Sequence, residues 1–177
     1  MRSWNKFFLC RNGYLGENIK IRANHQIYLI ILIQLNTGLR IGDVLSLKRK
    51  NLFNSFLDVQ EQKTSKFQKR KINKEIFEIV EAYCNRKKID LEDRLFTVGV
   101  RWVQKYLQKI GDILGVCSMS THSFRKTYAH IQYINNDCNI ELVRKLLNHS
   151  SVAVTQRYLG VTEKEVNEAS SSFKIIF

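Results

Sequence analysis

The sequence predicts an α+β fold, mainly α-helical, with one small antiparallel β-hairpin. Apolar residues recur at helical spacing through most of the chain. Two stretches, 52–60 and 66–72, alternate instead, and the polar link Gln62-Lys63-Thr64-Ser65 joins them as a hairpin. With 177 residues, 44% of them hydrophobic, the chain is long enough to bury one substantial core.

The elements follow in order. Residues 1–21 read as an irregular N-terminal segment, with turn signals at Asn12-Gly13 and Gly16. An apolar helix is expected over 24–36. Its run Ile27-Tyr28-Leu29-Ile30-Ile31-Leu32-Ile33 falls far short of the roughly 20 residues that cross a bilayer, so it reads as a core helix. Gly38 breaks it. A second helix starts near Arg40, with Ile41, Val44, Leu45 and Leu47 on its apolar side and Asp43 in its first turn, where the helix dipole favours a carboxylate. After the hairpin, Asn73 opens a helix carrying Ile76, Ile79, Val80 and Tyr83. Another runs over 98–114 and stops at Gly115. Helices are then expected over 122–134, 139–147, 151–159 and 162–170. Ser151 is the N-cap of the third, and Thr162-x-x-Glu165 is a capping box for the fourth. Ser170-Ser171-Ser172 reads as a flexible joint before an apolar end, 173–177. The organisation expected is a short leading segment (1–21), one domain (22–169) and a tail (170–177).

Charge points to a partner. The net charge is +13 and the pI about 9.7, a field that attracts polyanions. Nucleic acid leads over an anionic membrane surface. Lys63, Lys66, Lys69, Arg70, Lys71 and Lys74 crowd one stretch around the hairpin and are expected to contact DNA phosphates. Part of that stretch is also explained as lysines that protect an edge strand from aggregation. The four cysteines are scattered, without a C-x-x-C pair or a matched histidine cluster, so no zinc site is expected. They read as reduced, mostly buried thiols of a cytoplasmic protein. The N-terminus lacks the apolar core of a signal peptide.

Six residues carry candidate chemistry. Arg40 follows a glycine turn, where a guanidinium fork suits a phosphate. Lys63 sits at the hairpin tip. His122 and Arg125 lie three apart at a helix start and share a face. His149 follows an apolar helix, and Tyr158 comes nine positions later. Each has a plain structural reading: an ion pair of Arg40 with Asp43, a turn lysine, a capping histidine beside a surface arginine, a helix C-cap and a core tyrosine. As an ordered set they suit a phosphodiester broken by a tyrosine nucleophile.

The set resembles the catalytic domain of the tyrosine recombinases, the phage and transposon integrase family. The resemblance covers 24–165 and rests on TGLRIGDVLSL (37–47), EQKTSK (61–66), THSFRKTYAH (121–130) and LLNHSSVAVTQRYLG (146–160). Where the family usually has Leu-Gly-His, this chain has Leu147-Asn148-His149. Asparagine tolerates left-handed backbone, so the turn is expected to be kept.

The resemblance implies roles. Tyr158 would attack the scissile phosphate and form a 3′-phosphotyrosyl link, releasing a 5′-hydroxyl. Arg40 and Arg125 would hold the non-bridging oxygens, Lys63 would protonate the leaving oxygen, and His122 and His149 would support proton transfer. No metal or cofactor is implied. The partners implied are double-stranded DNA and further copies of the chain, four in a synapse, with the tail either exchanged between protomers or folded onto its own domain. The family's upstream core-binding domain has no counterpart in the short leading segment. Two alternatives stand beside strand exchange. One is a type IB topoisomerase-like enzyme; such enzymes commonly lack the histidine of His-x-x-Arg, so His122 favours a recombinase. The other is a non-catalytic DNA-binding relative.

Overall fold

Asn24 starts the central helix: its side chain accepts the Gln26 N–H, one of the donors that a helix start leaves unpaired. The computed structural model describes residues 24–113, 115–116, 119–160, 167 and 170–172. The central helix, α1 (His25–Thr37), is buried at Ile27, Leu29, Ile30, Ile31 and Ile33, on nearly all sides, as its unbroken apolar run requires. It ends at Gly38, whose φ of 67° is left-handed. A Cβ there would collide with the Tyr128 ring, so both backbone and packing demand glycine.

Helix α2 (Ile41–Ser46) and a 3₁₀ turn (Arg49–Asn51) lead into the sheet. The sheet has three strands, β1 (Leu52–Phe53), β2 (Phe56–Gln60) and β3 (Phe67–Lys71), antiparallel in that order. The stretch expected as one strand over 52–60 is therefore two. Asn54 and Ser55 both take positive φ, 48° and 62°, between the pairs Leu52–Leu57 and Phe53–Phe56. Positive φ at both central residues is what a two-residue hairpin turn needs.

Helices α3 (Lys74–Lys87), α4 (Val100–Ile113), α5 (Thr121–Asn135), α6 (Ile140–Leu146) and α7 (Val152–Leu159) follow the sequence expectation closely. Asn73, Asn139 and Ser151 cap α3, α6 and α7 through their side chains. The main core gathers around α1, with Val80, Tyr83, Val103, Leu107 and Phe124 supplied by α3, α4 and α5. A smaller cluster of Tyr128, Ala129, Val143 and Leu147 joins α5 to α6 and supports the candidate site.

Ser170, Ser171 and Ser172 are helical, which corrects the expectation of a flexible joint. The leading segment 1–21, the Thr162–Glu165 capping box and the apolar end 173–177 lie outside the described residues. Of the thiols described, Cys84 is buried, with its pKa pushed up to about 11 by burial, while Cys138 is exposed rather than buried. Among the described residues no helix is long and apolar enough to cross a membrane.

Candidate active site

Arg125 organises the site. It lies one turn into α5, which a reciprocal cap between Ser120 and Ser123 starts, and only 1% of its surface is exposed. Its guanidinium donates to the Gly38 carbonyl, to the Leu147 carbonyl at 2.7 Å and to His149 Nε2 at 3.3 Å. One side chain thus ties the turn after α1 to the end of α6. Burial, then the like charge of Arg40, pushes its pKa down to about 10, against the opposing pull of Tyr158 and Glu61. It remains a cation at neutral pH.

His149 sits just past α6, after Asn148, whose φ of 54° is the left-handed turn expected there. A guanidinium can only donate, so His149 Nε2 accepts. The ring hydrogen is then on Nδ1, which donates to Thr155 Oγ1 at 3.1 Å. The Thr155 hydroxyl passes its own hydrogen to the Ser151 carbonyl at 3.5 Å. Burial, followed by the charges of Arg125 and Arg40, pushes the His149 pKa down to about 4, so the imidazole is neutral at physiological pH.

Tyr158 stands on α7, three residues after Thr155, and is half-buried. Its ring centroid lies 4.8 Å from that of His149 and 6.0 Å from Arg125 Cζ. The nucleophile candidate therefore packs on the buried histidine and arginine of its own chain.

Arg40 occupies the N-cap of α2 and pairs with Glu61 at 2.7 Å, not with Asp43. Asp43 instead accepts the Gln62 N–H at 2.9 Å, and burial raises its pKa. The hairpin tip is thereby bound to the start of α2. Lys63 lies on that tip, exposed, and His122 is exposed near the start of α5. The structure thus brings Arg40, Arg125, His149 and Tyr158 together. It leaves Lys63 and His122 at the surface, Lys63 on the hairpin tip tied to α2 and His122 on the helix that carries Arg125.

The expected DNA-contact residues divide. Lys66, Lys69, Lys71 and Lys74 are exposed, Lys74 lying 3.7 Å from Glu78. Arg70 departs from expectation. It turns inward and donates to the carbonyls of Leu146 at 2.6 Å and Thr37 at 3.3 Å, and to Gln68 Oε1. The reason is register: Arg70 pairs with Leu57 and Gln68 with Val59, so all four share the covered face of the sheet.

Sequence reasoning passed over Glu61 and Thr155, both fully buried polar residues. Glu61 was legible, because the inward alternation of Leu57 and Val59 reaches it next. Thr155 gives no such signal, since its histidine partner lies across a turn in the preceding segment.

The buried Arg125, the neutral His149 and the packed Tyr158 stand together as the resemblance to tyrosine recombinase catalytic domains implies. The chain belongs to the phage integrase family, whose family profile matches residues 17–165. It is 28% identical over 162 residues to the probable integrase/recombinase YoeC of Bacillus subtilis, covering 86% of this chain and 87% of that one. It is 28% identical over 173 residues to the tyrosine recombinase XerA of Pyrococcus horikoshii, covering 89% of this chain but 58% of the relative. The chain thus spans nearly all of one relative and little more than half of the other.

Among solved structures, a XerA recombinase shares the fold with a TM-score of 0.71 at 22% identity, over 92% of this chain and 62% of that one. The catalytic domain of bacteriophage HP1 integrase does so with a TM-score of 0.63 at 22% identity, over 89% and 88%. A XerH site-specific recombinase bound to palindromic difH substrate, in a post-cleavage complex, matches with a TM-score of 0.72 at 21% identity, over 89% and 49%.

Proposed function

We propose that this chain breaks and rejoins double-stranded DNA in site-specific recombination, through a 3′-phosphotyrosyl intermediate on Tyr158. The observation that carries the reading is the packing of Tyr158 on His149 and Arg125 within one chain.

Each step has a residue suited to it. The Tyr158 oxygen attacks phosphorus, and its proton passes to His149 Nε2 as Arg125, which donates to that nitrogen in the free protein, turns to the phosphate oxygens. A phenol hydroxyl is a weak nucleophile until its proton is drawn off, so this help matters. Arg40 and Arg125 bind the non-bridging oxygens and stabilise the charge that builds on the phosphorane. His122 adds a donor from the first turn of α5. Lys63 gives its proton to the departing 5′-oxygen. The phosphotyrosyl bond retains the energy of the broken linkage, and a 5′-hydroxyl from another strand reverses the sequence to rejoin.

Exposed Lys66, Lys69, Lys71 and Lys74 contact the phosphate backbone beside this centre. Exchange between duplexes requires further copies of the chain on DNA, and a DNA substrate locates the reaction in the cytoplasm.

The test is a denaturing gel for covalent protein–DNA adduct on nicked suicide duplexes, comparing wild type with Tyr158→Phe. Adduct in wild type alone is expected, with DNA binding equal in both. Adduct in the Phe variant removes Tyr158 from the role. DNA binding without any adduct leaves a binding module.

A further inference from the structure

We propose that Glu61 is a positioning residue, which holds the Arg40 guanidinium in place for the phosphate and locks it to the turn that carries Lys63. The inference rests on the cleavage reaction proposed above and extends it to a residue outside the six-residue set.

Glu61 ends the β2 side of the hairpin and is 0% exposed. A buried carboxylate is strongly disfavoured unless paired and hydrogen-bonded. Glu61 is fully engaged. Its Oε2 accepts from Arg40 NH1 at 2.7 Å and from the Thr64 hydroxyl at 2.5 Å, and its Oε1 accepts from Gln68 Nε2. Gln68 in turn accepts from Arg70. The carboxylate therefore has no slack. It fixes one edge of the Arg40 fork, with the charge of Arg70 relayed behind it through one amide.

The backbone of the same residue closes the turn. The Glu61 N–H donates to the Lys66 carbonyl at 3.0 Å, and the Glu61 carbonyl accepts from the Ser65 N–H at 2.9 Å. From the other side, Asp43 on α2 reaches the Gln62 N–H at 2.9 Å. Two carboxylates thus cross in opposite directions between α2 and the hairpin, and Arg40 and Lys63 ride on the joined unit. A buried ion pair is weak evidence of a stability role, since apolar replacements often match it. That this one engages an arginine of the reaction centre is the reason to assign it to geometry.

The experiment measures single-turnover adduct formation and DNA affinity for wild type, Glu61→Gln and Glu61→Asp. Gln removes the charge; Asp keeps it but is one methylene too short to reach Arg40. Both variants are expected to form adduct slower by about tenfold to a hundredfold, the scale of a misplaced catalytic group, at unchanged DNA affinity. Most of the deficit should persist on a substrate with a 5′-bridging sulfur, which relieves only the share that comes from Lys63, because Arg40 serves the phosphorane rather than the leaving group.

A second readout needs no catalysis. Nitrogen-15 NMR of arginine side chains should show slow guanidinium rotation for Arg40, assigned with Arg40→Lys, that is lost in both Glu61 variants. Should Glu61→Gln fail to fold in a thermal melt, Glu61→Asp decides. Wild-type rates in a folded variant, full rescue by the bridging sulfur, or unchanged Arg40 rotation each overturn the proposal. An absence of adduct from wild type itself counts against the reaction, and the NMR result then stands alone on Glu61.

Discussion

His149 Nδ1 lies 3.1 Å from the Thr155 hydroxyl, which belongs to the helix that carries Tyr158. Arg125 can only donate to Nε2 on the far side of the ring, so the ring hydrogen is on the nitrogen that faces Thr155. The Thr155 contact also ties the helix of Tyr158 to the end of α6, so His149 and Tyr158 share one support.

Thr155→Val keeps the side-chain volume and deletes that acceptor. One such hydrogen bond is worth about 1 kcal/mol, so adduct formation should slow by roughly fivefold to tenfold. Thr155→Ser should restore most of the rate. A loss that serine does not rescue would show that the methyl group's packing, rather than the hydroxyl, is what matters.

The buried state of His149 has a consequence for stability. Its pKa is about 4 in the folded chain against 6.5 for an exposed histidine, because burial and two arginine charges disfavour the imidazolium. The unfolded chain therefore binds the extra proton first as pH falls. Stability from this group is fully present above pH 6.5 and is lost between about pH 6.5 and 4. Denaturant titrations should show a shallower pH dependence across that window for His149→Gln than for wild type. Equal slopes would mean that His149 is not held neutral.

The legible parts of the site were those with a local sequence signal. His149 and Tyr158 stand in a motif, and the turn between them is fixed by Asn148 in a left-handed conformation and by the Ser151 cap. The partners of those residues were less visible, because they come from elsewhere in the chain. Arg40 meets Glu61 across 21 positions rather than Asp43 on its own helix, since Asp43 is taken by a backbone N–H of the hairpin. Arg70 was grouped with its lysine neighbours by charge, while strand alternation turns it to the opposite face. The split of the first strand hinged on Asn54 and Ser55, whose positive φ the alternation pattern does not reveal.

Lys63 stands exposed on a turn whose neighbours are tied down, as suits a side chain that must reach an incoming strand. Lys63→Ala should slow cleavage of an ordinary phosphodiester by about a hundredfold or more, the usual worth of a general acid. A substrate with a 5′-bridging sulfur needs no proton on its leaving group and should lose much less. Equal slowing on the two substrates would take Lys63 out of the proton-donor role.

Arg70 and Lys69 are adjacent in sequence and should fail in different ways. Arg70 holds the Leu146 carbonyl at 2.6 Å and the Thr37 carbonyl at 3.3 Å, which joins the sheet to the ends of α6 and α1. Hydrogen bonds from a charged donor are worth about 1.5–3 kcal/mol, so Arg70→Ala should lower the unfolding free energy by about that much. Lys69 is exposed on the outer face. Lys69→Ala should leave unfolding unchanged and weaken DNA binding, with the salt dependence of log K shallower by about one unit for the lost phosphate contact. Denaturant melts and salt-series binding on both variants separate the two cases. An Arg70→Ala chain of wild-type stability with a reduced salt slope would return Arg70 to the DNA surface.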